Sequence, residues 1–587
     1  MYSMDKNEKL DHLRHTLAHL LAAAVGKIYK FDKVKLTLGP AIENGFYYDI
    51  DFGDEKISDS NLKKIEDTMR KELPKWTEWQ HKEISKEEAL AFFKNEYKQE
   101  LINEIADRGE KITTYTCGGF TDLCRGGHLE HPATEIDPLS FKLDRVAGAY
   151  WRGDEKNKML TRIYGLAFET KEELEAYILQ QEEAKKRDHR KLGKELDLFV
   201  FSDLIGGGMP MFTPKGNVVR NAIINFSREL NSKLGFGEVH TPNFNKAELF
   251  KISGHYEKYK EDMLTVRSQY SEEDFFLKPM NCPQHTQIYA SKPRSYRDLP
   301  IRYSDFANLY RDERPGELSG LTRLRCFAQD DGHAFCREDQ IKNEFENVLA
   351  VIKKALLAYG MNYKIRLSLW DPEKPEKYLG DSTVWEQSQK LLEAILNDNK
   401  IEYERAVGEA AIYGPKMDII TKDSLGREWQ ISTIQLDFIM PQRFKLTYTD
   451  SDGKEKTPVM IHRAIIGSPD RFMGILIEHY SGNFPLWLSP VQVKVIPVRE
   501  NHNEYAKKVF ELLRENDIRA EFDDSDINLG TKVRDAKNNK LPYWIVVGDK
   551  EIEADKVTLE SRDNGQLGQM SKEELLKKLL EEIKNKK

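Results

Sequence analysis

Two guanidiniums, an aromatic ring, an amide, two carboxylates and an imidazole fall within Arg323-Leu-Arg-Cys-Phe-Ala-Gln-Asp-Asp-Gly-His333. Read as one strand, alternate side chains share a face, so Arg323, Arg325, Phe327, Gln329, Asp331 and His333 point one way. Leu324, Cys326 and Ala328 then pack on the other side. Upstream lies a second strand-like run, Asn308-Leu-Tyr-Arg311-Asp-Glu313, and the loop between them holds Pro315, Gly316 and Gly320. A hairpin built this way brings Arg311 and Glu313 beside Arg323. Such a face suits a nucleoside triphosphate, because arginine forks bind phosphate oxygens in pairs and a ring can stack on a base. The same pattern also suits the solvated face of an ordinary hairpin.

Three further constellations carry chemistry. In Val459-Met-Ile-His462 through Gly467-Ser-Pro-Asp-Arg471, Ser468 is a good N-cap, Pro469 fits the first helical position and Asp470 suits the positive helix end. Arg471 is then forced into the first turn, against the helix dipole, where either a phosphate or a neighbouring carboxylate would compensate it. Cys282, His333 and His462 supply a thiolate and two imidazoles suited to zinc. No local spacing links them, and a buried cysteine with two satisfied histidines is the competing reading. His15 and His19 share a helix face at i and i+4, and Cys124-Arg-Gly-Gly-His128 follows Asp122. The residue after His15 is not Glu, which removes the zinc-protease motif. The two pairs would form either a metal site or a hydrolytic pocket, or would be unrelated.

These side chains need several cores to position them. A chain of 587 residues is too long for one, and three or four domains are expected. No apolar run approaches a membrane span, and the polar, mixed-charge N-terminus is not a signal peptide. Five scattered cysteines argue against a disulfide framework and for a reducing, cytoplasmic setting. A net charge of −8 gives no global sign of nucleic-acid binding, which local patches decide. Residues 1–168 mix helix and strand signals. The charged segment Lys171–Leu198, interrupted only by Gly193, reads as one long exposed connector helix, placing a connector at 169–197. From there to 486, strand patterns such as Phe275–Lys278 and Tyr363–Leu369 alternate with helical ones. Residues 487–587 read as a small α/β domain: a strand at Val491–Ile496, a helix carrying Ala506, Val509, Phe510 and Leu513, a buried strand at Tyr543–Val547, and a C-terminal helix with Leu575, Leu576, Leu579, Leu580 and Ile583.

Taken together, the motifs resemble those of the threonyl-tRNA synthetases, a class II aminoacyl-tRNA synthetase family, over nearly the whole chain. Leu234-Gly-Phe-Gly-Glu-Val-His-Thr-Pro242 resembles the first class II motif, Tyr310-Arg-Asp-Glu313 through His333 the second, and Gly467 to Leu476 the third. Lys278-Pro-Met-Asn-Cys282, Gln329–His333 and Met460-Ile-His462 resemble the zinc-binding segments. Tyr413-Gly-Pro-Lys416 and Trp429-Gln430 through Gln435 resemble the substrate-pocket strands. His15/His19, Cys124/His128, Asn44-Gly-Phe-Tyr-Tyr48 and Ala147–Gly153 resemble the editing domain.

The resemblance implies an α+β and α/β multidomain protein: an α+β editing domain, a catalytic domain on a mixed antiparallel sheet, and a C-terminal anticodon-binding domain. It implies ATP held by Arg311, Glu313, Arg323, Phe327, Gln430, Thr433 and Arg471, with Arg311, Arg471 and Lys416 catalytic. Threonine would lie among Met280, Gln329, Asp331, Tyr413 and Gln435, on one Zn²⁺ held by Cys282, His333 and His462, with Mg²⁺ accompanying ATP. Editing would fall to His15, His19, Tyr48, Lys98, Asp122, Cys124 and His128, and anticodon contact to Asn528, Arg534 and Arg562. The implied partners are tRNA(Thr) and a second copy of the chain, without a membrane. The chain departs from the pattern in two places. Only fourteen residues precede His15, so the family's small β-rich leading domain is missing, by nature or by truncation. Glu560 stands where the family carries an arginine, and Asn528–Arg534 is short. The prolyl enzyme, a non-catalytic RNA-binding paralogue and a metalloenzyme fused to a synthetase are the rival readings. Cys282/His333/His462 with the editing-like segments argue against the first, and Arg311 with Arg471 against the second. Metal analysis of the N-terminal domain separates the third.

Overall fold

The computed structural model describes residues 6–423 and 425–587. They form two compact units that divide between Glu182 and Glu183.

The first unit is organised on helix Lys6–Tyr29. Leu13, Leu17, Leu20, Leu21 and Val25 recur at helical spacing and are buried with Phe46, Tyr48, Ile50, Phe141 and Ile163 of the adjoining sheet. That antiparallel sheet sets Gly45–Asp51 between Lys35–Leu36 and Met159–Ala167, with Phe141–Tyr150 at its edge. Gly45 is required by close approach, since a Cβ there would lie 1.9 Å from the Gly165 carbonyl oxygen. A second antiparallel sheet joins Gln80–Glu83, Thr113–Cys117 and Phe120–Leu123, and its last strand delivers Asp122 and Cys124.

The second unit carries an eight-stranded mixed sheet. Its antiparallel interior runs Ile301–Asp305, Asp331–Cys336, Val459–Ala464, Glu428–Asp437, Lys416–Lys422 and Tyr363–Leu369. Short parallel strands, Gly237–Glu238 and Glu404–Val407, close its two edges. Register places His333 opposite His462, His462 opposite Gln435, and Gln435 opposite Lys416 in one row across the sheet. Thr433, two residues from Gln435, shares that face. The C-terminal segment packs its own core around Val493–Pro497, flanked by parallel Ala520–Phe522 and Tyr543–Val547 and extended by antiparallel Val557–Ser561 and Gly565–Met570.

Two sequence expectations are corrected. Arg323–His333 is not one strand. Cys326–Ala328 pairs with Asn308–Tyr310 in a small hairpin, and Asp331–Cys336 joins the large sheet. Asp330 makes the break: it is buried, and its carboxylate accepts from Arg463 Nη1 (2.8 Å) and Ile465 N (3.1 Å). The connector is not one exposed helix. Lys171–Arg187 and His189–Glu195 are separate, divided at Asp188, whose side chain caps the second, and Leu192 and Gly193 are buried.

Candidate active site

The hairpin and helix Pro469–His479 enclose a cavity of about 590 Å³ lined by Arg311, Glu313, Arg323, Phe327, Gln329, Gln430, Thr433, Gln435 and Arg471. Every residue expected to hold ATP lies on its wall. Ser468 caps the helix by accepting from Arg471 N (3.3 Å), and Pro469 occupies its first turn. Asp470 is spent on Arg220 (2.6 Å) and on the Ala328 amide (2.6 Å), which locks the helix to the hairpin. Arg471 has no carboxylate partner among the described residues; its guanidinium lies 5.5 Å above the Trp429 ring. Burial first, and the nearby Arg311 charge second, push its pKa below the ordinary guanidinium value. Arg311 is likewise depressed by burial and stacks 5.2 Å over Phe327. Two cations facing one cavity, with Glu313 on the same wall, suit an anion between them. Arg325 departs from the expected face: its guanidinium donates to the Glu313 carbonyl (2.9 and 2.7 Å) and serves the loop.

Asp331 and His333 reach a different place, deeper in the sheet. The ligand atoms of Cys282, His333 and His462 all lie within 4.8 Å of one another, and all three residues are buried. His462 Nε2 is 2.9 Å from the buried carboxylate of Asp437, which leaves Nδ1 for a metal, as is usual for a ligating imidazole. The donor set fits Zn²⁺. Tyr413 stacks on His462 at 4.4 Å and its hydroxyl donates to Gln435 Oε1 at 2.7 Å. Met280 packs against the same cluster, and Asp331 Oδ1 lies 3.6 Å from His333 Nε2. Gln435 therefore belongs both to this pocket and to the cavity wall. Lys416 does not line the cavity; its ammonium pairs with buried Asp418, which also accepts from Ser368 (2.7 Å), Gln430 (2.8 Å) and Thr433 (3.0 Å). Sequence reasoning missed Asp437, His285 and His255. His285 Nδ1 is 2.7 Å from His333 Nδ1, and its signal was its place one turn after Cys282. Asp437 follows Gln435 on the same strand face. His255, whose Nε2 is 3.8 Å from Cys282 Sγ, offers no local signal.

In the first unit the residues expected to edit converge. His15 Nε2 is 3.3 Å from His19 Nε2 and 3.5 Å from Cys124 Sγ, which is 3.2 Å from His128 Nε2. Asp122 accepts from the Tyr48 hydroxyl (2.6 Å), pairs with Lys98, and lies 3.3 Å from His19 Nδ1. A cavity of about 450 Å³ opens onto His15, His19, Tyr48, Lys98, Asp122 and Cys124, with Leu101, Ile105 and Leu123 on its apolar wall. Burial alone would lower the His19 pKa, but its bonds to Asp122 and Cys124 prevail and raise it to about 9. Burial also disfavours the Cys124 thiolate, yet the imidazoles of His128, His15 and His19 bring its pKa down to about 3. Burial holds His128 near 4, so it is neutral at physiological pH. The four ligand atoms also lie within 4.8 Å of one another, as a metal site would require.

Among the residues expected to meet the anticodon, Arg534 is exposed and Asn528 caps helix Leu529–Asn538 through the Thr531 amide (2.9 Å). Arg562 is not free. It donates to the carbonyls of Phe484 (3.1 Å) and Lys540 (2.9 Å) and pairs with Asp563 (2.9 Å). Glu560 accepts from the Trp544 indole (2.9 Å).

A mixed, largely antiparallel sheet thus carries a hairpin arginine and a helix-terminal arginine over one cavity. Residues 259–480 match the tRNA synthetase class II core domain (G, H, P, S and T), 492–582 the anticodon binding domain, and 112–164 the threonyl and alanyl tRNA synthetase second additional domain. A threonine–tRNA ligase of Deinococcus radiodurans is 48% identical over 97% of this chain and 89% of its own length. One from Thermotoga maritima is 46% identical over 100% of this chain and 90% of its own. The crystal structure of the RNA binding domain of a threonyl-tRNA synthetase from Cryptosporidium parvum superposes on 67% of this chain and 98% of its own, with a TM-score of 0.65 at 37% identity. The chain belongs to the threonine–tRNA ligase family.

Proposed function

We propose that the chain ligates L-threonine to tRNA(Thr) through a threonyl-adenylate and hydrolyses Ser-tRNA(Thr) in its first unit. The observation that carries the reading is the pair Arg311 and Arg471, half-buried and without an ion-paired carboxylate among the described residues, on the wall that also holds Phe327, Gln430 and Thr433. A threonine carboxylate oxygen attacks the α-phosphorus, an oxygen–phosphorus bond forms, the bond from that phosphorus to the bridging oxygen of the β-phosphate breaks, and pyrophosphate leaves. Arg311 and Arg471 face the oxygens on which charge accumulates, and their prior desolvation strengthens that stabilisation. Phe327 offers a ring face to the base, and Arg323, held by Glu313 (2.7 Å), lies at the cavity mouth. Mg²⁺ accompanying ATP would neutralise further phosphate charge. Cys282, His333 and His462 would hold Zn²⁺, which supplies a Lewis-acid position for the threonine amine and hydroxyl. Asp331, Tyr413, Gln435, Gln329 and Met280 would bound that position. Lys416 acts, on this reading, through Asp418 and the row of polar groups beside Gln435.

A pocket that reads a hydroxyl rejects the isosteric valine by roughly 10⁴ or more, whereas serine loses only a methyl, ~1–3 kcal/mol. A second, hydrolytic site is the remedy, and the His15/His19/Cys124/His128 cluster fits it. His15 and His19 open onto the cavity where they can position a water, and protonated His19 can polarise the ester carbonyl, while His128 lies behind them against Cys124. The reading is metal-free hydrolysis by positioned side chains. We assign editing to 1–168, a connector to 169–197, the catalytic domain to 198–486 and anticodon binding to 487–587. We further assign a homodimer formed through Leu234–Pro242, and a cytoplasmic setting, which the five free thiols support. Among the described residues no helix is long and apolar enough to cross a membrane. ATP–pyrophosphate exchange across the twenty amino acids tests activation: threonine should be the preferred substrate, serine detectable and valine negligible. Preference for any other amino acid overturns the reading.

A further inference from the structure

We infer that His189, outside every segment that carries the chemistry, is a positioning residue for ATP that seats the cavity loop Gly320–Arg323; the inference rests on the cavity being the ATP site. His189 opens the short helix His189–Glu195 and its side chain is 4% exposed. Both ring nitrogens are engaged. Nε2 lies 2.9 Å from the Leu321 backbone nitrogen, which can only donate, so Nε2 is the acceptor. Nδ1 must then carry the hydrogen and donates to Glu478 Oε1 at 2.6 Å. The His189 backbone nitrogen donates to the same oxygen at 3.0 Å.

Each partner leads to the cavity. Leu321, Thr322 and Arg323 line it. Glu478 lies on the helix that begins beside Arg471, and its carboxylate also takes Arg427. Arg427 Nε binds Asp423 (2.8 Å), which accepts from the Trp429 indole (2.9 Å), the ring beneath Arg471. One imidazole thus ties the loop on one wall to the helix and arginine on the other. The loop crosses the ring so closely that a Cβ on Gly320, at φ +49°, would fall 2.1 Å from His189 Nε2. With the ring removed, the buried Leu321 amide loses its acceptor and the loop loses its seat.

Asparagine and glutamine separate this role from general stability. His189→Asn keeps a donor near Nδ1 for Glu478 and has no acceptor at the Nε2 position. His189→Gln places its amide oxygen near Nε2. In the full chain, calorimetric titration with Mg-ATP should show affinity reduced about tenfold for Asn, equivalent to about 1.4 kcal/mol, and within about twofold of wild type for Gln. In pyrophosphate exchange the KM for ATP should follow while that for threonine stays within about twofold. Gly320→Ala breaks the same contact from the loop side and should weaken ATP like Asn, a second reading if Asn folds poorly. Equal ATP affinities for Asn and Gln, or parallel loss of ATP and threonine, overturn the inference. Absence of exchange in wild type would instead overturn the proposed activity, and the ATP affinities would still decide the role of His189.

Discussion

Replacing Asp122 with asparagine should injure the first unit in a way that depends on pH. Asp122 is buried and holds Lys98, the Tyr48 hydroxyl at 2.6 Å and His19 Nδ1 at 3.3 Å. Asparagine keeps the shape and removes the charge. Lys98 is left as a buried ammonium without a counter-charge, 3.3 Å from the Tyr48 hydroxyl, and His19 keeps only Cys124 as an anionic neighbour. Breaking a buried pair from one side costs about 3–5 kcal/mol. The His19 pKa stands at about 9 against 6.5 for an unperturbed imidazole. Its contribution to stability is therefore complete below pH 6.5 and disappears as pH rises through about 9. That contribution is on the order of 3 kcal/mol, and the variant lacks the share that Asp122 supplies beside Cys124. The deficit of the variant should accordingly be largest near pH 6.5 and smaller by about pH 9.5, where the His19 share is gone and the loss of the Lys98 pair remains. Amide hydrogen exchange in strands Thr113–Cys117 and Phe120–Leu123 of the full chain reads the local opening free energy at both pH values. Protection equal to wild type near pH 6.5, or a deficit that does not change with pH, refutes the charge arrangement described above.

Other outcomes follow from the second unit. Arg311→Ala and Arg471→Ala should each lower kcat for threonine-dependent exchange by about 10²-fold or more, with the far-ultraviolet circular dichroism retained. Purified protein should carry one Zn²⁺ per chain by elemental analysis, and Cys282→Ala should carry none. Arg562→Ala should reduce thermal stability, because two carbonyls and Asp563 lose their donor, while Arg534→Ala should weaken tRNA(Thr) binding at unchanged stability.

What could be read from the sequence was what lies close along it. Ser468-Pro469-Asp470-Arg471 declares its cap, first turn and misplaced cation within four residues, and the structure follows. Strand Tyr363–Leu369 was legible by its alternation of Ile365, Leu367 and Leu369 with Lys364, Arg366 and Ser368, and Tyr543–Val547 because a buried β-branched and aromatic run has few other uses. Cys282, His333 and His462 became a set only through resemblance, since sheet register, not spacing, brings them together. His255 escaped because a distant helix brings it to Cys282, whereas His285, one turn after Cys282, and Asp437, two residues after Gln435, had local signals that went unread. Arg325 was placed on the wrong wall because the hairpin strand begins only at Cys326, and Asp331 and His333 because period-2 reasoning cannot see a buried aspartate such as Asp330 dividing two strands. The connector was misread at Gly193, although Asp188 offered an ordinary N-cap signal five residues earlier. Arg562 shows the converse limit: its type and place suit RNA, but its donors are already used.

The central claim is that two sites act in sequence, one that accepts serine imperfectly and one that removes it. Charging of tRNA(Thr) with serine by wild type, His15→Ala and His19→Ala tests it most directly. Wild type should accumulate little Ser-tRNA(Thr), and both variants should accumulate it while threonine-dependent exchange stays at the wild-type rate. Clearance of Ser-tRNA(Thr) by the variants as fast as by wild type would contradict the account.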